Sequence, residues 1–216
     1  MELKGKKVNF LGDSITEGCG ASDDAHCFVQ VFGRMTGTVV RNYGIGGTRI
    51  ARKRVPSANP VHDQCYLDRV DQMDADADLI VIFGGTNDFG HGDAPLGTPD
   101  DTDEYTFCGA MKSLLERVMR RFPASEIVVM TPIHRRSEMV TENPVGLVTG
   151  PLELWVEAER KICSDYSIPV LDLWSVAGIY PRLEENYRQY TADGLHPNDF
   201  GMERIARRLA GFLSIL

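Results

Sequence analysis

The chain of 216 residues is short of positive charge: 23 Lys and Arg stand against 31 Asp and Glu, a formal net charge of −8. Surfaces for nucleic acid or anionic lipid need clustered cations to neutralise phosphates, so neither partner is expected. Long apolar runs are lacking too. Nothing approaches the roughly 20 residues of a membrane span, and Met1 to Lys7 leads into the first predicted strand without an apolar leader region, so the expected location is cytoplasmic. Cysteines number only 5. Cys19, Cys27, Cys65, Cys108 and Cys163 are odd in count and scattered, which fits reduced thiols better than a disulfide frame or a zinc site. Repeats, low-complexity tracts and interdomain linkers are missing, so residues 1–216 read as one domain of ordinary composition, 43% hydrophobic and 25% charged.

What is present alternates between strand and helix. Val8, Phe10 and Leu11 form a first strand that stops at Gly12-Asp13, leaving Ser14 just past its end. Phe28, Val31, Phe32 and Met35 recur at helical spacing with Gly37 as a stop, and Thr38 to Tyr43 is a second strand running into Gly44-Ile45-Gly46-Gly47. Thr48 to Gln64 lacks periodicity and reads mostly as loop, followed by a short helix around Leu67, Val70 and Met73. Leu79 to Phe83 is apolar throughout, the pattern of a strand buried on both faces, and exits into Gly84-Gly85-Thr86-Asn87-Asp88. Phe107 to Phe122 carries one apolar stripe ended by Pro123, and Ile127 to Met130 is a fourth strand. A helix with Leu154, Trp155, Ala158 and Ile162 precedes a fifth strand, Ile168 to Leu173, and Asn198 is positioned to cap a last helix through Leu216. Phe89 to Glu104 and Thr131 to Pro151, the latter with Pro144 and Gly146, read as long loops. The expected fold is a three-layer α/β/α sandwich on a five-stranded parallel sheet in flavodoxin-like order 2-1-3-4-5.

In that order the switch point falls between strands 1 and 3, so Ser14, Gly44 to Gly47 and Asn87 should converge on one crevice. Asp193 and His196, three residues apart before the last helix, match the orienting pair that a serine nucleophile requires. Gly47, lacking a Cβ, suits close approach of an N–H to a substrate, and the Asn87 amide adds a donor without charge. Gly12-Asp13-Ser14-Ile15-Thr16 does not spell Gly-x-Ser-x-Gly, which excludes the nucleophile elbow of α/β-hydrolases.

Four motifs in order, Gly12-Asp13-Ser14, Asn42-x-Gly44-x-x-Gly47, Gly85-x-Asn87-Asp88 and Asp193-x-x-His196, closely resemble the SGNH, or GDSL, hydrolase family across nearly the whole chain. The resemblance implies an esterase or acylhydrolase with Ser14 as nucleophile, His196 as base, Asp193 as its partner, and an oxyanion hole from Ser14, Gly47 and Asn87. It implies no cofactor and no metal, and a small-molecule ester as partner. Assembly leaves no trace in the sequence; a homodimer is only the base-rate expectation.

Each residue also has a plain reading. Ser14 could cap a turn, Asn87 and Asp88 could cap backbone groups, and Asp193 and His196 could simply start the last helix. His26, His62, His91 and His134 lack motif partners and read as surface or satisfied polar groups, while Trp155 and Trp174 read as core. Rival functions are a flavin- or phosphate-binding module, which Glu17 disfavours by placing negative charge against the phosphate, and a carbohydrate-binding protein that kept the fold without catalysis. Within the resembled family, a lysophospholipase or thioesterase is the alternative. The acidic loop Phe89 to Glu104 is a poor lid for a lipid, so short acyl groups, including O-acetyl groups on carbohydrate, are the expected substrates.

Overall fold

The computed structural model describes residues 2–142 and 148–216. Pro144 and Gly146, read above as loop residues, lie outside the described residues. The chain runs β1 (Lys7–Gly12), α1 (Ser14–Glu17), α2 (Phe28–Thr36), β2 (Val39–Gly44), α3 (Tyr66–Arg69), β3 (Leu79–Phe83), α4 (Thr86–His91), α5 (Phe107–Arg121) and β4 (Glu126–Met130). It continues through β5 (Thr141–Glu142), β6 (Val148–Thr149), α6 (Glu153–Asp165), β7 (Val170–Leu171), α7 (Leu173–Val176), α8 (Glu184–Tyr190) and α9 (Asp199–Leu213). The main sheet has the order β2-β1-β3-β4-β7, every neighbour parallel. This is the expected α/β/α topology.

β1 and β3 lie in the middle of the sheet and are buried on both faces, which is why their sequences are nearly continuous in apolar residues. One face packs Leu11, Ile80, Ile82 and Val129 against Met111, Leu114 and Leu115 of α5 and Trp155 and Val156 of α6. The other packs Val8, Phe10, Val81 and Met130 against Phe28 and Phe32 of α2 and Met202, Ile205 and Leu209 of α9. Phe10 meets Phe28 and Phe32 edge to face, with centroids 5.7 and 5.6 Å apart. The helix ends follow local chemistry. Gly37 closes α2 at φ 71°, its N–H on the Gly33 carbonyl, while Thr106 and Asn198 cap α5 and α9 by accepting from Gly109 and Gly201 N–H.

Four local expectations differ from the structure. The fifth strand is only Val170–Leu171, because Asp172 turns out to meet Arg160 and the Thr131 hydroxyl and its carbonyl starts α7. The helix expected around Leu67 to Met73 is one α-turn, Tyr66–Arg69, followed by one 3₁₀ turn, Val70–Gln72. Phe89 to His91 belong to α4 rather than to the loop after it. The stretch Thr131 to Pro151 contains the antiparallel ladder β5–β6, anchored where the Thr141 and Thr149 hydroxyls donate to the Gly90 and Phe89 carbonyls. It also exposes Met139, Val140 and Val148, a more apolar surface than its His134, Arg135, Arg136 and Glu138 led one to expect. All five cysteines are free. Among the described residues no helix is long and apolar enough to cross a membrane.

Candidate active site

The carboxyl ends of β1, β2 and β3 meet as the topology requires. Ser14 opens α1, which Asp13 caps by accepting from Ile15 N–H at 3.0 Å. The turn is tight because Gly12 and Gly44 carry no Cβ: one on Gly12 would run into the Thr16 side chain, and one on Gly44 into the Glu17 backbone. Arg69, 2% exposed, ties the strand ends together by donating to the Gly12 and Tyr43 carbonyls and the Thr48 hydroxyl. Glu17 accepts from Gly46 N–H at 2.9 Å, holding the glycine loop against α1.

His196 is delivered by the turn before α9. Its Nε2 lies 3.0 Å from Ser14 Oγ and its Nδ1 2.7 Å from Asp193 Oδ2. The other Asp193 oxygen accepts from the Leu195 and His196 N–H groups at 2.9 and 2.7 Å. Partial burial pushes the Asp193 pKa up, but the His196 ring and these N–H groups outweigh it and hold the carboxyl below the usual range. A carboxylate at Nδ1 selects the tautomer with the proton there, leaving the Nε2 lone pair for the serine proton. Asn87 Nδ2 donates to the Thr48 carbonyl at 3.0 Å, and the Ser14 and Gly47 N–H groups have no acceptor among the described residues. Ser14, His196 and Asp193 thus form one hydrogen-bonded line, and Asn87 is joined to the carbonyl of Thr48, the residue after Gly47.

The GDSL-like Lipase/Acylhydrolase family matches residues 10–204 of this sequence. The chain belongs to this family. As a GDSL-like member it is an ester hydrolase. A solved structure 33% identical covers 100% of this chain and 99% of its own, with a TM-score of 0.87. A Lactobacillus plantarum protein is 30% identical over 99% of this chain and 98% of its own, TM-score 0.83. A carbohydrate acetylesterase family member from Sinorhizobium meliloti is 20% identical over 97% and 98%, TM-score 0.63, a likeness of fold alone. No curated protein matches the sequence.

Around this GDSL-like site the structure adds groups with no motif of their own. The His62 ring covers Gly47, which sits at φ 74°, so that a Cβ there would approach the ring to 2.7 Å. His91 lies beyond it, ring centroids 6.4 Å apart. Burial, with Arg49 and His62 nearby, pushes its pKa down to about 4, so this ring is neutral near pH 7. Arg49 is itself neutralised by a two-pronged pair with Asp93 at 2.6 and 2.7 Å. Asp88 is fully buried and caps backbone, accepting from Ile50 and Ala51 N–H, the plain reading of that motif residue. Burial pushes both Asp88 and Asp13 up to about 6. The contacts of Arg69, Glu17 and His62 at the site are not visible in the sequence because the groups they meet are distant in the chain. Among the described residues no group of three or more His, Cys, Asp and Glu side chains is arranged to hold a metal ion.

Proposed function

We propose that the protein hydrolyses short-chain acyl esters through a Ser14–His196–Asp193 triad and an acyl-enzyme. The observation that carries the reading is the continuous hydrogen-bonded line from Ser14 Oγ through the His196 ring to Asp193, 3.0 and 2.7 Å long at its two links. His196 Nε2 takes the hydroxyl proton as Oγ attacks the ester carbonyl, and Asp193 stabilises the imidazolium that results. Charge developing on the carbonyl oxygen meets the Ser14 and Gly47 N–H groups and the second hydrogen of the Asn87 amide. His196 returns its proton to the leaving alcohol, then activates the water that releases the acid.

The polar rim supports a small acyl group on a hydroxylated alcohol, an O-acetylated carbohydrate in particular. His62 covers Gly47 with His91 beyond it, and the acids Asp93 and Glu104 of the 89–104 stretch are tied up in ion pairs with Arg49, Arg52 and Arg117. The name of the Sinorhizobium meliloti neighbour agrees with this reading. One observation favours a longer acyl chain, the kind of ester a lysophospholipase cleaves: the exposed Met139, Val140 and Val148 beside the β5–β6 ladder.

Two experiments separate these readings. A fluorophosphonate should label wild type at Ser14 and leave Ser14→Ala untouched, whereas a carbohydrate-binding protein without an activated serine would not label at all. Over a series of acyl lengths, acetyl and butyryl esters should be cleaved much faster than octanoyl. A kcat/KM that climbs steadily to lauroyl would assign the exposed Met139, Val140 and Val148 to substrate and overturn the short-chain reading.

A further inference from the structure

The segment leaving β4 carries a cation that the chemistry above does not use. Ile133 is buried, the His134 ring lies 3.7 Å from Trp174, and Arg136 N–H donates to the Gly194 carbonyl at 2.7 Å. Held between these fixed neighbours, Arg135 reaches toward α4. Its Nη1 donates to the Thr86 carbonyl and hydroxyl at 3.2 and 3.3 Å, and its guanidinium carbon stands 5.6 Å from the Phe89 ring centroid. A Cβ on Gly90 would meet Nη1 at 2.5 Å, so the absence of a side chain there makes room for the cation. Thr86 directly precedes Asn87, and Gly194 lies between Asp193 and His196. The guanidinium therefore lies against the start of α4, next to Asn87, on a segment whose backbone is tied to the turn that carries His196.

Arg135 has no ion pair among the described residues, and the nearby acids are committed elsewhere. Asp193 serves His196, and Glu138 serves His134 and the Arg135 backbone N–H through one oxygen and faces Arg182 with the other. Nε is buried without a hydrogen-bond partner, and Nη2 donates to no acceptor among the described residues. Arg69, whose Nε is likewise buried without a partner, differs in that both its Nη atoms are occupied by carbonyl and hydroxyl oxygens. Burial lowers the Arg135 pKa, with Asp13, Asp193 and Glu138 acting in the opposite sense, yet a guanidinium keeps its proton in a protein. A half-buried charge with unused donors and no counter-ion is costly unless a ligand supplies the anion.

We propose that Arg135 binds an anionic group, a carboxylate or phosphate, carried by the ester substrate, through Nη2, the donor that Thr86 leaves unused. The enzyme's preferred esters are then acidic ones. The assignment rests on Ser14 being the nucleophile, because that fixes where the ester carbonyl lies.

Two matched substrate pairs test it and tell which side of the ester bears the charge. For the acyl side the pair is para-nitrophenyl hemisuccinate against para-nitrophenyl butyrate; for the alcohol side it is the acetyl ester of a sugar acid against that compound's methyl ester. Wild type should favour the charged member of one pair by roughly 10- to 100-fold in kcat/KM at low salt, and the preference should shrink as ionic strength rises. Arg135→Gln should collapse that ratio toward one, with Arg135→Lys restoring part of it. No charge preference in either pair of wild type would overturn the proposal. So would Arg135→Gln slowing both members of a pair equally, the behaviour of a cation that only steadies α4 and Asn87. Fluorophosphonate labelling run alongside separates the failures: an unlabelled wild type sinks the Ser14 reading, whereas a labelled enzyme indifferent to charge sinks the Arg135 assignment alone.

Discussion

Asn87 donates one amide hydrogen to the Thr48 carbonyl at 3.0 Å, which fixes the plane of the amide, and the proposed mechanism gives its other hydrogen to the oxyanion. Asn87→Ala should therefore lower kcat by about 10²- to 10³-fold with little change in KM, the effect of losing one oxyanion donor. Asn87→Asp should be worse, since a carboxylate repels the developing oxyanion; steady-state kinetics of the two variants checks both statements, and near-normal turnover in either would remove Asn87 from the site. At Gly47 two constraints coincide, a left-handed backbone at φ 74° and the His62 ring in the space of a Cβ. Gly47→Ala must strain the backbone and push the ring aside, so kcat should fall at least 10-fold as the N–H moves, with a smaller loss in KM. His62→Ala in the same background should recover part of it by relieving the second constraint. The sequence identified Gly47 and Asn87 because their chemistry is intrinsic to the residue type. It gave Thr48 no role and read His62 as a surface or satisfied polar group, because both matter only by being adjacent in space.

At the scale of elements, the histidine is placed by the junction of α8, the 191–198 turn and α9. Asn198 joins all three: Oδ1 caps α9 on Gly201 N–H at 3.2 Å, and Nδ2 donates to the Gln189 carbonyl at 3.2 Å. Asn198→Ala should cost about 1–2 kcal/mol of stability, measured by urea unfolding, and should lower kcat as His196 loses its fixed approach to Ser14. Asn198→Asp keeps the capping oxygen and should regain most of the stability; equal losses in both variants would show that the cap is not what matters there. The long helices were legible, Phe107 to Phe122 from its apolar stripe and the last helix from its stripe and the Asn198 cap. The short elements were not. β5–β6 is a two-residue ladder held by hydroxyl contacts to α4, and β7 is curtailed by Asp172 turning to Arg160, both decided by partners outside any local window.

Across the whole molecule, buried carboxyls tie stability to pH. Asp88 lies at 0% exposure and its pKa is pushed up to about 6 from an ordinary 3.8 by burial, against the pull of the Ala51 and Ile50 N–H groups. Such a carboxyl holds its proton more tightly folded than unfolded. Its contribution to stability is therefore present below about pH 4 and is lost as the pH rises through about 6. Asp88→Asn removes that dependence, so between pH 4 and pH 7 the unfolding free energy of the variant should gain about 2 kcal/mol on wild type. A difference that stays constant across that range in urea titrations would mean that Asp88 titrates as an ordinary surface acid. Asp13, also pushed up to about 6 by burial, acts in the same sense and remains in both proteins. By itself the sequence determined the layered α/β/α architecture, the strand order and the cluster of Ser14, Gly47, Asn87, Asp193 and His196, because strand burial, helical stripes and motif chemistry are all written locally. Only the tertiary structure decided that Arg69 clamps the strand ends, that His62 covers Gly47 and that Arg135 stands at the start of α4 with no ion pair among the described residues. Those roles arise from side chains tens of residues apart being brought within hydrogen-bonding distance, and from carboxylates being used up by other partners, which no local pattern of residues encodes.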